Sequence, residues 1–336
     1  MRVIAGTGGK GFSGDGGPAI QAQISDPFGV IRATDGSILF CDTANHRVRR
    51  IFTDGKIETI AGNGRAEYSG DGGPAIEASL KEPYEIRLDR VGNLFIVERL
   101  NHTVRKVDAK TRVISTIAGT GKAGFGGDGG PGPQAQLHEP HSIQLDAAGN
   151  VYICDIKNHR IRKVDSVTAV ITTFSGTGQP KTAADGSAFA NASLHGPRAL
   201  DFDAAGNLWL ALREGNAVYK LDLKAGTLHH VAGVGGKPGY AGDGGSAKQA
   251  TLGGPKGISI APNGDVYLAD TESHTIRRLD LKRGTIELVA GTGKKGAGTG
   301  KDPHGFPLAR PHGVFVDKDG KVLIGDSESN RVLGLW

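Results

Sequence analysis

The apolar positions of the chain fall in short runs that alternate with polar positions or are rich in β-branched residues. One stretch shows four such runs, each bounded by Gly, Asn or Asp, at residues 84–89, 94–97, 103–107 and 113–118. Runs of this length, separated by turn residues, predict strands joined by hairpins rather than helices. The pattern therefore predicts a unit of four short antiparallel strands.

The same unit recurs along the whole chain, and a proline marks the start of each copy. These anchor prolines are 56 to 58 residues apart, at Pro27, Pro83, Pro140, Pro197, Pro255 and Pro311. Six four-stranded units repeated radially predict an all-β, six-bladed β-propeller that forms one domain from residue 1 to 336. We number the blades 1 to 6, with predicted bounds 27–62, 83–119, 140–176, 197–233, 255–291, and 311–336 together with 2–6.

The two ends of the chain complement each other. Residues 2–8 match the fourth strand of blade 2 at 115–121, and residues 330–336 match a third strand with no fourth strand after it. We therefore predict that the N-terminal strand, residues 2–5, pairs with residues 330–335 and closes blade 6. Closure of this kind removes an exposed sheet edge that would otherwise invite association with another chain.

Composition agrees with many short strands and tight turns. Glycine supplies 54 of the 336 residues, about 16%, where ~7% is usual. The two cysteines, Cys41 and Cys154, occupy equivalent positions in blades 1 and 3, each before an Asp. Cysteine behaves as a small apolar side chain in protein cores. Because blades 1 and 3 are not neighbours, we expect two buried thiols and no disulfide.

Charge and hydropathy limit the partners. No apolar run approaches the ~18 residues of a membrane span, so we expect no membrane partner. The N-terminus lacks the apolar core of a signal peptide, which predicts a cytoplasmic protein or a domain cut from a secreted one. The net charge of +5 comes without a basic run, which gives little support to RNA binding. We expect the chain to be a monomer.

The loop after the second strand of each blade carries a repeated motif. Residues 42–48 read Asp-Thr-Ala-Asn-His-Arg-Val, and residues 155–161 read Asp-Ile-Lys-Asn-His-Arg-Ile. These phrases resemble the signature of the NHL repeat family, and the resemblance extends over essentially the whole chain. It implies a propeller fold. It leaves function open, because propellers of this family include enzymes, RNA-binding proteins and protein-interaction platforms.

Two abundant motifs are interpreted as architecture. The sequence Gly-Asp-Gly-Gly at 14–17 recurs in other blades without the Lys-Ser/Thr of a phosphate loop or the spaced carboxylates of a calcium loop, so it indicates a turn. The Asp and Asn-His motif recurs in several blades, whereas an enzyme needs one site. We predict a blade-to-blade latch in which the Asp accepts hydrogen bonds from backbone or from a nearby arginine, namely Arg47, Arg160 or Arg331.

Function is expected where equivalent positions differ. The residue after each anchor proline begins the innermost strand and reads, from blade 1 to blade 6, Phe28, Tyr84, His141, Arg198, Lys256 and His312. The next positions also vary and include Glu85 and Ser142. Strand direction predicts that this ring, the Asn-His loops and the Gly-Asp-Gly-Gly loops share one face, at the mouth of the central channel. The alternatives are a ligand site and a polar, water-filled opening.

One interpretation of the ring is a metal-dependent enzyme. His141 and His312 together with Glu85 could hold a divalent metal, zinc or calcium, with Tyr84 beside it and Arg198 stabilising a developing oxyanion. The Pro-His phrases at 140–141 and 311–312 resemble those that supply zinc ligands in peptidyl-α-hydroxyglycine α-amidating lyase, and also phrases of virginiamycin B lyase. The resemblance reaches only these two histidines, since that lyase has a third Pro-His ligand.

Blade 4 departs most from the repeat. Its loop at 212–217 lacks the Asp and the Asn-His-Arg sequence, and the segment leading into it, 179–187, lacks the Gly-Asp-Gly-Gly core. Neutral drift explains this as well as specialisation does. If blade 4 is specialised, Arg198, Arg213 and Trp209 predict a recognition edge for an anionic or peptide ligand. Phe28, Lys256 and Ser142 complete the predicted ligand-binding set.

These observations favour a binding scaffold that holds a peptide, protein or small-molecule ligand on the loop-rich face at the channel. The alternative is a metal-dependent lyase or hydrolase centred on His141, His312 and Glu85. RNA binding by the same face is a weaker alternative, because only Phe28 and Tyr84 offer base stacking.

Overall fold

Twenty-four strands form six four-stranded antiparallel sheets in the computed structural model, which describes residues 1–336. Within blades 1 to 5 the strands follow chain order from the channel outwards. The strands are β1 (Arg2–Ala5), β2 (Pro27–Arg32), β3 (Ile38–Asp42), β4 (Arg47–Ile51), β5 (Ile57–Ala61), β6 (Pro83–Leu88), β7 (Leu94–Glu98), β8 (Thr103–Val107), β9 (Ile114–Ala118), β10 (Pro140–Leu145), β11 (Val151–Asp155), β12 (Arg160–Val164), β13 (Ile171–Ser175), β14 (Pro197–Phe202), β15 (Leu208–Leu212), β16 (Ala217–Asp222), β17 (Thr227–Ala232), β18 (Pro255–Ile260), β19 (Val266–Asp270), β20 (Thr275–Asp280), β21 (Thr285–Gly291), β22 (Pro311–Val316), β23 (Val322–Asp326) and β24 (Arg331–Leu335).

The only helical segments are eight single 3-10 turns of three residues each. Four lie in the segments that lead into blades and four in the loops between second and third strands. They span Ala19–Gln21, Thr43–Asn45, Gly132–Gln134, Ile156–Asn158, Phe189–Asn191, Ala247–Gln249, Thr271–Ser273 and Ser327–Ser329. No helix in the structure has the length and apolar character that a membrane crossing requires.

Blade 6 is built from both ends of the chain, as the sequence predicted. Strand β1 pairs antiparallel with β24, with Arg2 opposite Gly334 and Val3 opposite Leu333. The sheet order is β1-β24-β23-β22. The N-terminal strand therefore supplies the outer strand of the last blade, and the prediction of a closed six-bladed ring is confirmed.

The core lies between neighbouring blades, where apolar faces of adjacent sheets pack together. Six clusters of 11 to 13 buried residues follow the ring, and each combines side chains from two blades. Cys41 and Cys154 are fully buried in two of these clusters and form no disulfide. The prediction of buried, unpaired thiols is confirmed.

The Gly-Asp-Gly-Gly segments lie along the outer edges of the blades. The Gly16 amide donates to the Ile57 carbonyl (2.8 Å), and the Ile57 amide donates to the Gly17 carbonyl (3.0 Å). The prediction that these loops share the channel face is wrong, because the segment pairs with strand β5 beside the turn between third and fourth strands. It covers the edge of β5, which would otherwise be open to pairing with another chain.

Adjacent blades are joined by a repeated hydrogen bond, which we call the latch. In each blade the residue after the second-to-third-strand loop adopts a left-handed conformation, with φ between 47° and 56°. Its side chain accepts the backbone N–H of the residue that precedes the next anchor proline, at 2.9 to 3.3 Å. The latch acceptors are Nδ1 of His46, His102, His159 and His274 and Oδ1 of Asn216 and Asn330.

The Asp of the repeated motif accepts a hydrogen bond from nearby backbone, as predicted, but the arginine beside it is not the one predicted. Asp42 Oδ1 accepts from the Ser25 amide at 2.7 Å, and its other oxygen lies 3.5 Å from Arg49 rather than beside Arg47. The Arg47 guanidinium instead donates hydrogen bonds to the carbonyls of Asn45 and Asn63. A latch exists as predicted, but the imidazole makes it, and the Asp anchors the loop within its own blade.

Candidate binding site at the channel mouth

The six residues that follow the anchor prolines converge and close the central channel. The Phe28 ring stacks on His312 at a centroid distance of 4.1 Å and meets Tyr84 edge-on at 4.5 Å. Tyr84 also meets His141 edge-on at 4.6 Å, and the Arg198 guanidinium lies 4.6 Å from the Tyr84 centroid. The predicted ring is therefore a packed plug rather than an open, water-filled mouth.

The plug separates two spaces of different size. Above it, on the face that carries the second-to-third-strand loops (the top face), a depression of about 340 Å³ is lined by residues from all six blades. We call this the funnel. Below the plug, a narrow space of about 20 Å³ is lined by Glu85 and Arg87 together with members of the plug, Arg198 among them. A partner approaching from solvent therefore meets the funnel first.

The two imidazoles of the plug are neutral and held in one orientation. His141 Nδ1 lies 2.6 Å from the Glu139 carbonyl and His312 Nδ1 lies 2.9 Å from the Arg310 carbonyl, so each Nδ1–H donates to backbone. Burial lowers the pKa of both imidazoles well below the usual value; Arg198 lowers the pKa of His141 further, and Lys256 and Arg198 lower that of His312 further. Each ring therefore keeps the Nε2 lone pair free of a proton.

A free Nε2 fits a metal ligand, but the surrounding charges oppose a divalent cation. The Lys256 ammonium lies 3.4 Å from His312 Nε2. Glu85, the third predicted ligand, is paired with Arg87 at 2.6 Å and accepts a hydrogen bond from Ser142 at 3.0 Å. No group of three or more His, Cys, Asp or Glu side chains is arranged to hold a metal. The predicted zinc or calcium site stays a prediction that this donor set fits poorly.

Lys256 is the most buried cation facing the funnel. Burial lowers the pKa of its ammonium to about 8, although Glu272, at 2.6 Å, opposes that shift. Burial would raise the pKa of Glu272, but hydrogen bonds from Arg310 and Lys256 outweigh it and lower that pKa to about 2. At neutral pH both groups are charged, and the pair forms one wall of the funnel.

Residues in a strained backbone conformation form the rim of the funnel. The residue before each anchor proline is left-handed in every blade, and four of the six carry a charged side chain at φ 49° to 53°, namely Asp26, Glu82, Glu139 and Arg310. We call these four residues the crown. A left-handed L-residue costs roughly 1–2 kcal/mol, and such strain is concentrated at functional sites. Glycine would adopt this conformation without strain, yet these four positions carry charged residues.

Ion pairs between blades hold the crown in place. Arg99 binds Glu82 at 2.6 Å and Glu139 at 3.1 Å. Arg310 binds Glu272 at 2.6 Å and Glu328 at 2.9 Å. These arginines lie on the funnel rim at blades 2 and 6, and their charges are already neutralised by carboxylates.

Blades 4 and 5 leave an opening in the crown. The crown positions there are Gly196 and Gly254, which are also left-handed but carry no side chain. Arg213 lies beside this opening with 40% of its side chain exposed, and its nearest carboxylate, on Glu214, is 3.6 Å away. The opening is therefore the stretch of the rim where a cationic side chain reaches the funnel with a single ion pair, to Glu214 at 3.6 Å.

The remaining predicted residues lie away from the funnel. Ser142 is fully buried and links blades, donating to Glu85 and accepting from the Leu200 amide at 3.2 Å. The structure separates Trp209 from Arg213: the indole is buried between blades 4 and 5 and donates to Asp203 at 3.0 Å. Of the predicted recognition edge, only Arg213 faces the funnel.

Sequence reasoning missed the crown. A signal was present, because the position before each anchor proline reads Asp, Glu, Glu, Gly, Gly and Arg from blade 1 to blade 6. Charged residues alternating with glycine at one repeated position indicate a left-handed backbone. Their pairing with Arg99 and Glu272 depends on contacts between blades, which the repeat alone does not reveal.

The fold and the geometry of its face define a six-bladed propeller with a binding funnel, and comparison with known proteins shows which family it is similar to. The family model of the teneurin NHL domain matches residues 225–305, and that of the NHL repeat matches residues 308–335. The chain is a six-bladed β-propeller that is similar to NHL-repeat proteins. This fold is generally a scaffold for protein interactions.

Relatives cover the whole propeller at low identity. The chain is 27% identical over 305 residues to Protein SUPPRESSOR OF QUENCHING 1, chloroplastic, of Arabidopsis thaliana, covering 88% of this chain and 28% of that protein. It is 23% identical over 336 residues to NHL repeat-containing protein 2 of Homo sapiens, covering 90% of this chain and 45% of that protein. The chain thus spans less than half of each of these relatives.

Solved structures share the architecture. An auxiliary nutrient binding protein from Bacteroides thetaiotaomicron superposes with a TM-score of 0.71 and 15% sequence identity, over 99% of this chain and 75% of that one. At this identity the similarity shows the fold alone.

Proposed function

We propose that this propeller is an interaction scaffold that binds a peptide segment of a partner protein in the funnel. The segment would present a carboxylate, from an acidic side chain or a free C-terminus, at the opening between blades 4 and 5. The observation that carries the proposal is the broken crown: charged residues are kept in a strained backbone around the rim, and the break exposes Arg213. We expect the scaffold itself to act as a monomer.

The charge distribution supports a carboxylate at this place. Arg99 and Arg310 are each bound by two carboxylates, so they have little left to offer a ligand. Arg213 has only a distant contact with Glu214, and a guanidinium can bind a carboxylate through two hydrogen bonds. Gly254 carries no side chain that would keep a backbone away from Arg213, whereas the Glu214 side chain lies against Gly196.

The test begins with a random-peptide phage library panned against the immobilised protein, followed by fluorescence anisotropy with a selected peptide. Arg213→Ala is expected to weaken binding about tenfold or more, equivalent to ~1.4 kcal/mol or above. The matched control is Arg90→Ala, which removes an exposed arginine from the turn between the first two strands of blade 2, at the other end of the channel. Peptides that bind Arg213→Ala as tightly as the unchanged protein would overturn the proposal.

A second variant tests whether crown strain serves binding. Glu82→Gly removes an Arg99 partner but relieves a left-handed backbone at φ 51°. A partly exposed ion pair contributes only about 0–1 kcal/mol, less than the ~1–2 kcal/mol of strain that is relieved. We therefore expect unfolding by urea to show equal or slightly higher stability, while the selected peptide binds more weakly. A clear loss of stability with unchanged binding would show that the crown is architectural.

A further inference from the structure

Arg198 differs from every other deeply buried arginine in the chain. Four others, Arg49, Arg105, Arg162 and Arg277, are fully buried, and each is bound by carboxylates and backbone carbonyls. The Arg198 side chain is as deeply buried, yet its Nε and Nη1 atoms have no hydrogen-bond partner, and no carboxylate lies within ion-pair distance. Its guanidinium carbon lies 4.6 Å from the centroid of the Tyr84 ring.

The carboxylates nearest to Arg198 already have partners. Glu85 is bound by Arg87 and Ser142. Asp201 accepts from the Gln144 amide group at 2.6 Å and from the Ile260 backbone amide at 2.7 Å. The negative charges of Glu85 and Asp201 lower the electrostatic cost of burying the guanidinium, but neither carboxylate accepts a hydrogen bond from it. A buried donor without an acceptor is strongly unfavourable, and a cation–π contact returns only part of that cost.

The narrow space below the plug offers a place for an anion beside the Arg198 guanidinium. Its volume is about 20 Å³, and its lining includes Glu85, Arg87, Arg198 and Lys256. This volume holds roughly one water-sized particle, so an amino acid or a phosphate ester does not fit. Arg87 is paired with Glu85 and Lys256 with Glu272, so the charge of Arg198 is the one that favours an anion, and the apolar faces of the rings suit a weakly hydrated ion.

We propose that the channel binds one small monovalent anion, of the size of chloride or bromide, on the Arg198 guanidinium beneath the plug. This site is separate from the funnel and does not depend on the partner binding proposed above. The anion offsets the charge of the Arg198 guanidinium and fixes the ring of side chains that forms the floor of the funnel. The same charges that accept an anion repel a divalent metal.

The test compares thermal unfolding in sodium chloride and in sodium gluconate at equal ionic strength, since gluconate is too large for a space of about 20 Å³. For the unchanged protein we expect the midpoint to be about 2–4 °C higher in chloride, because ligand bound only by the folded state stabilises it. Arg198→Met removes the unpaired charge and is expected to abolish the difference. Arg90→Met, which removes an exposed arginine far from the funnel, is the matched control and should keep it.

A second measurement does not require the variant to fold. Crystals of the unchanged protein grown with bromide should show an anomalous peak within hydrogen-bond distance of the Arg198 guanidinium. Equal midpoints in chloride and gluconate together with no peak at Arg198 would overturn the proposal. A stoichiometric zinc or calcium ion bound between His141 and His312 would also overturn it.

Discussion

Replacing the four latch histidines by alanine is expected to lower the free energy of unfolding by about 4–8 kcal/mol, since a donor left without its acceptor costs about 1–2 kcal/mol at partly buried sites. The histidines are His46, His102, His159 and His274, and each accepts the backbone N–H of the next blade. They lie in four different blades, so their effects should add. Urea unfolding of the four single variants and of the quadruple variant measures both the size and the additivity.

The chain contains its own control for this experiment. Blades 4 and 6 make the same latch with Asn216 and Asn330 in the same left-handed conformation. Asparagine tolerates that conformation better than most residues, so replacing the four histidines by asparagine should preserve most of the stability. If the asparagine variant lost as much stability as the alanine variant, the latch hydrogen bond would not be the cause.

The same asparagine variant isolates a pH effect. Burial lowers the pKa of all four latch imidazoles below the usual value, so the unfolded chain takes up protons first as the pH falls. The stability that these histidines contribute is therefore complete above about pH 6.5 and lost as the pH falls through their folded pKa values. The buried Asp of the motif, present in both proteins, titrates in the opposite sense: burial raises the pKa of Asp42 to about 6. The difference in the free energy of unfolding between the unchanged protein and the asparagine variant, measured from pH 7 to pH 5, therefore reports on the four histidines alone.

The ring could be predicted from the sequence because its evidence is periodic. The spacing of six prolines gave the number of blades. The strands missing at one end of the chain are present at the other end, which predicted one blade shared by both ends. A hydrogen-bonded contact between neighbouring blades was predicted, but it was assigned to the Asp of the motif rather than to the His. The sequence places Asp42 and Arg47 close together, but it does not show that His46 is left-handed and therefore turned toward the next blade.

The site was predictable in position and less so in detail. The residues after the anchor prolines do meet at the axis, as their shared register requires. Trp209 was misplaced because its strand, Leu208–Leu212, is apolar at every position. Such a strand gives no alternation from which to choose the face on which a side chain lies. The opening beside Arg213 depends on which ion pairs form between blades, and a repeat alignment within one chain does not show that.

The buried arginines of the third strands predict the largest effect of a single substitution. Arg277 is fully buried, binds Asp243 at 2.9 Å and Asp270 at 3.4 Å, and donates to the Thr251 carbonyl at 2.8 Å. Arg277→Leu leaves a buried carboxylate and a carbonyl without their partner. Loss of one member of a buried ion pair costs about 3–5 kcal/mol, and urea unfolding should show a loss of this size.

In blade 4 the positions of the buried Asp and Arg hold uncharged residues. This arrangement provides a matched variant for the experiment. Leu212 stands there in place of the Asp, and Tyr219 in place of the arginine, with its hydroxyl donating to the Ala183 carbonyl at 3.1 Å. The double variant Asp270→Leu with Arg277→Tyr copies this arrangement into blade 5. It leaves one backbone donor, the Gly253 amide, without its carboxylate acceptor, at a cost of about 1–3 kcal/mol. Because both buried charges are gone, the double variant should be more stable than Arg277→Leu alone. A double variant less stable than the single one would mean that the arginine acts through packing and carbonyl contacts rather than by neutralising Asp270.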